Sequence, residues 1–241
     1  MSLPAKDSRS LLLEKLRRFS RPASPLSEPP PKNDTAQPGR APQIAVREAV
    51  NEETISQLAQ ELKRLGAELR YVAGLENLSA AILQLGRESH YKRIAVGADP
   101  ILKEANLATG LQNFQDFKLI LSDRTPTPAN QIREALSKCQ LGITGCDAVI
   151  AETATMVLSH AGFGGRSISL LPECHVVVAY RAQVFISLDD WMNSQSFTRA
   201  TLPSCTTFIT GPSRTADIEK VLVTGVHGPL RLVLMLVQGG D

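Results

Sequence analysis

Apolar residues recur every three or four positions through NEETISQLAQELKRLG, Asn51 to Gly66, where Ile55, Leu58, Leu62 and Leu65 share one face and a glycine closes the run. That spacing predicts an amphipathic helix with a glycine stop. Beyond it the pattern changes period by turns. AELRYV predicts a strand, LSAAILQLG a helix ending at Gly86, and RIAVG, Arg93 to Gly97, a strand running into a loop glycine. FKLILS predicts another strand, and PANQIREALSK a helix with Pro128 near its start. Strands alternating with helices of this length need right-handed crossovers, and crossovers build a parallel sheet with helices on both faces.

From Leu141 the apolar runs crowd together as LGIT, AVIAET, TMVLSH, SISLL and HVVVAY, with too few residues between them for helices. Antiparallel hairpins are the economical connection there. CTTFIT, the continuous run LVLMLV from Leu232 to Val237 and a helix between them, Ala216 to Val223, close the series. The run reads as a strand buried on both sides. The expected class is therefore α/β, with a mixed, largely parallel sheet and helices on both faces, over residues 44–241.

Residues 1–43 break this rhythm. SRSLLLEKLRRF places Leu12, Leu16 and Phe19 at helical spacing among Lys15, Arg17 and Arg18, which predicts a short amphipathic helix. Asp7 and Glu14 interrupt the pattern of an organelle transit peptide. From Arg21 to Pro42 prolines dominate and apolar side chains are scarce, the composition of a flexible linker.

Hydrophobic residues make up 43% and charged residues 21% of the 241, a folded, water-soluble balance. The first 43 residues carry eight Lys or Arg against four Asp or Glu, so the remainder is slightly acidic despite a net charge of +2. Without a basic stripe, and with one Trp and three Tyr, nucleic acid is not expected as a partner. No apolar run reaches the length of a membrane span. Cys139, Cys146, Cys174 and Cys205 form no C-x-x-C pair and do not alternate with histidines at zinc spacing, so neither a metal nor another cofactor is expected. Cys146 and Cys174 read as packed thiols, and four reduced cysteines without a secretory signal fit a cytoplasmic protein.

Two stretches carry candidate chemistry. In TGPSRTADIE, Cys205 to Thr210 is read as a strand, Gly211 and Pro212 as a turn, and the predicted helix follows. Amides of a first helical turn point past the carboxyl end of such a strand, where open α/β sheets hold ligands. Ser213, Arg214 and Thr215 would then hold a carboxylate or phosphate. Ordinary capping by Gly211, Ser213, Pro212 and Asp217 explains the same residues. In GITGCDAVIAETATMV, Glu152 interrupts an apolar stretch and on period-two alternation shares a face with Ile150. Burial would raise its pKa and make it an acid, base or nucleophile; a strand-end carboxylate reaching water or an arginine is the alternative. Thr144 and Thr153 place hydroxyls nearby. GFGGRS matches no phosphate-binding fingerprint and reads as a turn. VHGP precedes a strand, which in a parallel sheet puts His227 at the opposite end from TGPSRT.

GITGCDAVIAETATMVL, RSISLLPECHVVV and above all TGPSRTADIEKVLVTGVHGP resemble the LUD-domain family, in its lactate-utilisation protein C branch, from about Asn51 to the C-terminus. The resemblance implies a fold similar to the CoA-transferase and ribose-phosphate isomerase superfamily. It also implies an accessory role beside iron-sulfur partner proteins that oxidise L-lactate to pyruvate. The candidate ligand site comes from the residues themselves: Thr144, Thr153, Gly211, Ser213, Arg214, Thr215, Asp217 and His227. The rival readings are a stand-alone transferase or isomerase using Glu152, and a ligand-sensing regulatory protein. Where the family commonly has Ala-Glu-Thr-Gly-Thr, this chain has Ala154 in place of the glycine, which restricts φ at that turn.

Overall fold

The computed structural model describes residues 50–112, 114, 117–121, 129–159, 165–195, 203, 205–216, 222–224 and 228–239. The helix and linker expected in residues 1–43 lie outside them, as do Asp217 and His227.

Helix α1, Glu52–Leu65, forms where its apolar stripe predicts. The Asn51 side chain accepts from the Thr54 amide at 2.9 Å, and Glu52 and Glu53 favour the positive end of the helix dipole. Gly66, at φ 77°, ends it, with the Gly66 amide bonded to Lys63 O at 3.0 Å and that of Ala67 to Leu62 O at 2.8 Å. Paired bonds of this kind satisfy the last carbonyls and need a left-handed residue at the corner. The chain then enters β1, Glu68–Val72, so α1 runs antiparallel to it.

The main sheet also holds β2 (Arg93–Val96), β3 (Lys118–Leu121), β4 (Leu141–Gly145), β7 (Cys174–Tyr180) and β12 (Arg231–Val237). Its order is β1-β12-β7-β4-β2-β3, and every pair is parallel. Val176, Val178, Val233 and Met235 pack on one face against helices α2 (Leu78–Glu88), α3 (Pro100–Glu104) and α4 (Leu107–Gln112). Val177, Ala179, Leu232, Leu234 and Leu236 pack on the other face against Ile55, Leu58 and Leu62 of α1. Further along that second face, Ala95 meets Leu136 and Ile168 of α5 (Ala129–Ser137) and α6 (Gly165–Leu170). SISLL, expected as a strand, lies mostly within α6. Three apolar residues in five fit a short helix as well as a strand, and Gly142, where a Cβ would lie 2.3 Å from Ile168 O, leaves this short helix room against β4.

Antiparallel pairing is confined to separate layers. β5 (Ala148–Ile150), β6 (Thr155–Ser159), β8 (Val184–Phe185) and β9 (Thr206–Thr210) form a second sheet, in the order β8-β5-β6-β9. β6 is antiparallel to β5 and β9, and β5 is parallel to β8. Val149, Met156 and Val184 face α1 and the main sheet. Ala148, Ile150, Val157 and Phe185 face outward and are covered by Trp191 of α7, Leu188–Ser194. Among the described residues no helix is long and apolar enough to cross a membrane.

Candidate functional site

β5 stops at Ile150, two residues short of Glu152, which the expected strand would have included. Ala151–Thr153 make a single 3-10 turn, and Ala154 follows at φ 48°, ψ 42°, in the left-handed region. Ala151 and Ala154 are buried against α1, while Glu152 and Thr153 turn outward and are exposed. The alternation that placed Glu152 beside Ile150 fails because the backbone is no longer extended. The desolvation on which a catalytic carboxylate depends is absent. Instead the Glu152 amide donates to Ile186 O at 3.1 Å, and its Oε1 accepts from the Leu188 amide at 3.1 Å, at the start of α7. A carboxylate at a helix amino end is a cap.

Past that turn, hydroxyls link two of the quoted motifs. Thr155 Oγ1 lies 2.8 Å from Thr153 Oγ1 and 2.6 Å from Thr210 Oγ1, because β6 and β9 pair Thr155 with Thr210. Thr155 is buried, and Thr153 and Thr210 at the two ends are exposed. After Thr210 the chain bends at Gly211, φ 86°, where an added Cβ would lie 3.3 Å from Leu65 Cβ. Arg214 Nη2 donates to Leu65 O, at the end of α1. The Ser213 amide donates to Pro229 O at 2.9 Å, and a Cβ on Gly228 would meet Ser213 Cβ at 3.1 Å.

These contacts correct the sequence reading in three ways. No helix spans Ala216 to Val223: β10 (Arg214–Ala216) and β11 (Leu222–Thr224) pair as antiparallel strands. Arg214 and Thr215 therefore lie in a strand and not in a first helical turn, and the Ser213 amide is already bonded to Pro229 O. The turn also lies at the amino end of the main sheet, since it touches the end of α1 that leads into β1. β9 belongs to the second sheet, so the rule for carboxyl ends of parallel strands does not govern it. For the same reason the VHGP segment, which enters β12 from the amino end, comes next to TGPSR through Gly228 and Pro229.

The junction thus gathers Thr153, Thr155, Thr210, Gly211, Ser213 and Arg214. Thr215 contributes backbone to β10. Thr144 stands apart on β4, 3% exposed, its Oγ1 2.8 Å from His175 Nε2 in the interior. Arg214 has five donors and the bond to Leu65 uses one; its exposed guanidinium, at the end of α1, suits a small anion. With Glu152 engaged at α7, the geometry favours binding over nucleophilic chemistry.

Cys139 and Cys174 are buried, and Cys146 and Cys205 are half-buried. Burial pushes the Cys139 thiol up to about 11 and Cys174 to about 12; the Cys146 thiol is raised well above its ordinary value by burial first, then by Asp147 and Asp99. Sequence reasoning missed the turn after β2, where Asp99 precedes α3 and Pro100 begins it; the Asp-Pro pair after a strand glycine was the available signal.

A family model described as the LUD domain matches residues 55–237. Lactate utilization protein C of Halalkalibacterium halodurans is 28% identical over 201 residues, covering 82% of this chain and 85% of that protein. Lactate utilization protein C 1 of Bacillus mycoides is 41% identical over 101 residues, and its Bacillus subtilis counterpart 35% over 126. The match to the Bacillus mycoides protein spans 41% of this chain and 43% of that one, and the Bacillus subtilis match 48% and 52%. A crystal structure of a DUF162 family protein from Deinococcus radiodurans superposes with a TM-score of 0.52 at 21% identity, over 77% of this chain and 96% of that one. That likeness shows the α/β fold.

Proposed function

This chain belongs to the LUD-domain family, and from that premise we propose that it works in the utilisation of lactate as an accessory protein, beside iron-sulfur partners that carry the oxidation to pyruvate. The observation that carries the reading is the family match over residues 55–237, together with the name shared by its relatives. Packed thiols support it too, since this chain offers no reactive sulfur of its own among Cys139, Cys146 and Cys174. A cytoplasmic location suits such thiols.

Within this role the junction of Thr153, Thr210, Gly211, Ser213 and Arg214 holds a small carboxylate or phosphate. The exposed guanidinium supplies the charge and the hydroxyls supply direction.

The test is reconstitution. With an artificial electron acceptor the purified chain alone leaves L-lactate unoxidised, and its addition to the iron-sulfur proteins restores their lactate-dependent reduction of that acceptor. Lactate oxidation by the chain alone defeats the proposal, as does full activity of the partners without it. Glu152→Gln restores turnover as well as the wild type, because an amide oxygen still accepts from Leu188; loss of turnover in a folded Glu152→Gln protein would favour the enzyme reading instead.

A further inference from the structure

The carboxyl ends of β2 and β3 border a hollow of about 250 Å³ that no candidate motif touches. Its apolar wall comes from Val96, Leu102 and Leu121. Its polar wall is the link between α3 and α4, where Lys103, Asn106 and Thr109 line the space. The link explains their convergence. Asn106 sits at φ 46°, its amide bonded to Lys103 O at 2.9 Å and its carbonyl accepting from the Gly110 amide at 2.9 Å, so it ends one helix and opens the next. Asparagine tolerates this left-handed conformation better than most residues. Ile101, Leu102, Leu107 and Leu111 are buried on one side of the link, while Lys103, Asn106 and Thr109 are all exposed on the other.

We infer that this hollow is a binding site for a short-chain organic carboxylate. Ammonium, amide and hydroxyl groups offer donors from one side, and among the described residues lining it Lys103 is the one that carries a charge. Of the neighbouring acids, Glu104 lies beside the Tyr180 hydroxyl, and Asp99 packs over Gly97 and Gly145, towards Cys146. One cation matches one carboxylate, and the wall of Val96, Leu102 and Leu121 suits a few carbons rather than a second anionic oxygen. The volume is below that of sites for drug-sized ligands, which fits a small acid. The hollow lies outside the carboxyl ends of β2 and β3, on the rim of the sheet that open α/β folds use for ligands. It lies at the other end of the main sheet from the Arg214 junction, so it goes beyond the function proposed above and does not depend on it.

Titration of the full, isotope-labelled chain with butyrate, L-lactate and inorganic phosphate, followed by amide chemical shifts, tests the assignment. The expected result is saturable shifts at Gly97, Leu102, Lys103 and Thr109 with the two carboxylates at millimolar concentration, and weaker ones with phosphate. Lys103→Met weakens carboxylate binding by roughly tenfold or more, the loss expected for a charge-assisted hydrogen bond. Thr109→Val gives a second, smaller loss, and Arg214→Ala leaves these shifts unchanged whatever becomes of the junction. Phosphate binding as tightly as the carboxylates, no shifts at these amides, or unaltered affinity in a folded Lys103→Met protein would each overturn the inference.

Discussion

Ala154 holds φ 48° with a methyl group that is wholly buried against α1. A residue with a Cβ costs about 1–2 kcal/mol in this conformation. Glycine would relieve that cost but lose about 0.8 kcal/mol of methyl burial and roughly 0.4–1 kcal/mol through the greater freedom of the unfolded chain. The terms nearly cancel. Ala154→Gly should therefore shift unfolding stability by less than about 1 kcal/mol, whereas Ala154→Val, β-branched at a left-handed position, should cost more than about 2 kcal/mol; urea unfolding of both variants checks the pair, and equal stability would show that φ is not what constrains this site. The turn was legible in the sequence through its departure from Ala-Glu-Thr-Gly-Thr, because a glycine in that position signals positive φ. Glu152 was not legible, because alternation assumes an extended chain and a single 3-10 turn at Ala151 is enough to carry its carboxylate outward to Leu188.

Elements with two independent signals were legible, and those with one were not. α1 showed a stripe and a glycine stop, β12 a continuous apolar run after the Gly-Pro turn, and β7 a run of three valines after Pro172, so all three stand where they were expected. SISLL offered only three apolar positions in five, and α7 had its signal in Ser187, whose side chain accepts from the Asp190 amide at 3.1 Å, with acids following. Pairing between elements was invisible altogether, and the link from β12 to β1 depends on it. Arg231 grips Glu68 through Nε and Nη2 and donates from Nη1 to Ser89 Oγ at 2.6 Å. The hydrogen bonds from Arg231 hold the Glu68 carboxyl below its ordinary value against the opposing pull of partial burial, with Arg231 and Arg70 charges adding to the lowering. Its folded pKa is thus below the unfolded one, and the unfolded chain binds the extra proton. The stability this pair contributes is present above the unfolded value of 4.5 and is lost as pH falls through the folded value. Arg231→Gln should remove that loss, so its stability falls less steeply with acid below pH 4.5 than the wild type's. Parallel curves in chemical unfolding across that range would mean that the pair contributes nothing to acid sensitivity.

At the scale of the whole molecule, alternation of helix and strand disclosed a parallel sheet, but the order of its strands depends on contacts between residues far apart in sequence. That is why TGPSR and GVHGP were assigned to opposite ends and meet at the same one: β9 had been placed in the main sheet, and it pairs with β6 in another layer. The two layers share a core rather than merely touching. Leu58, fully buried in α1, belongs to one cluster with Val149 and Met156 of the second sheet and with Leu234 and Leu236 of the first. Trp191, the only tryptophan, covers the outer face of the second sheet, so its fluorescence follows that layer while far-ultraviolet circular dichroism weighs the whole fold. A common core requires both signals to change together. Leu58→Ala, which removes a side chain from that shared cluster, should lower stability by about 2–5 kcal/mol and move the two transitions by the same amount. If the fluorescence transition instead separates from the dichroism and falls at lower denaturant, the second sheet unfolds on its own and α1 does not couple the layers.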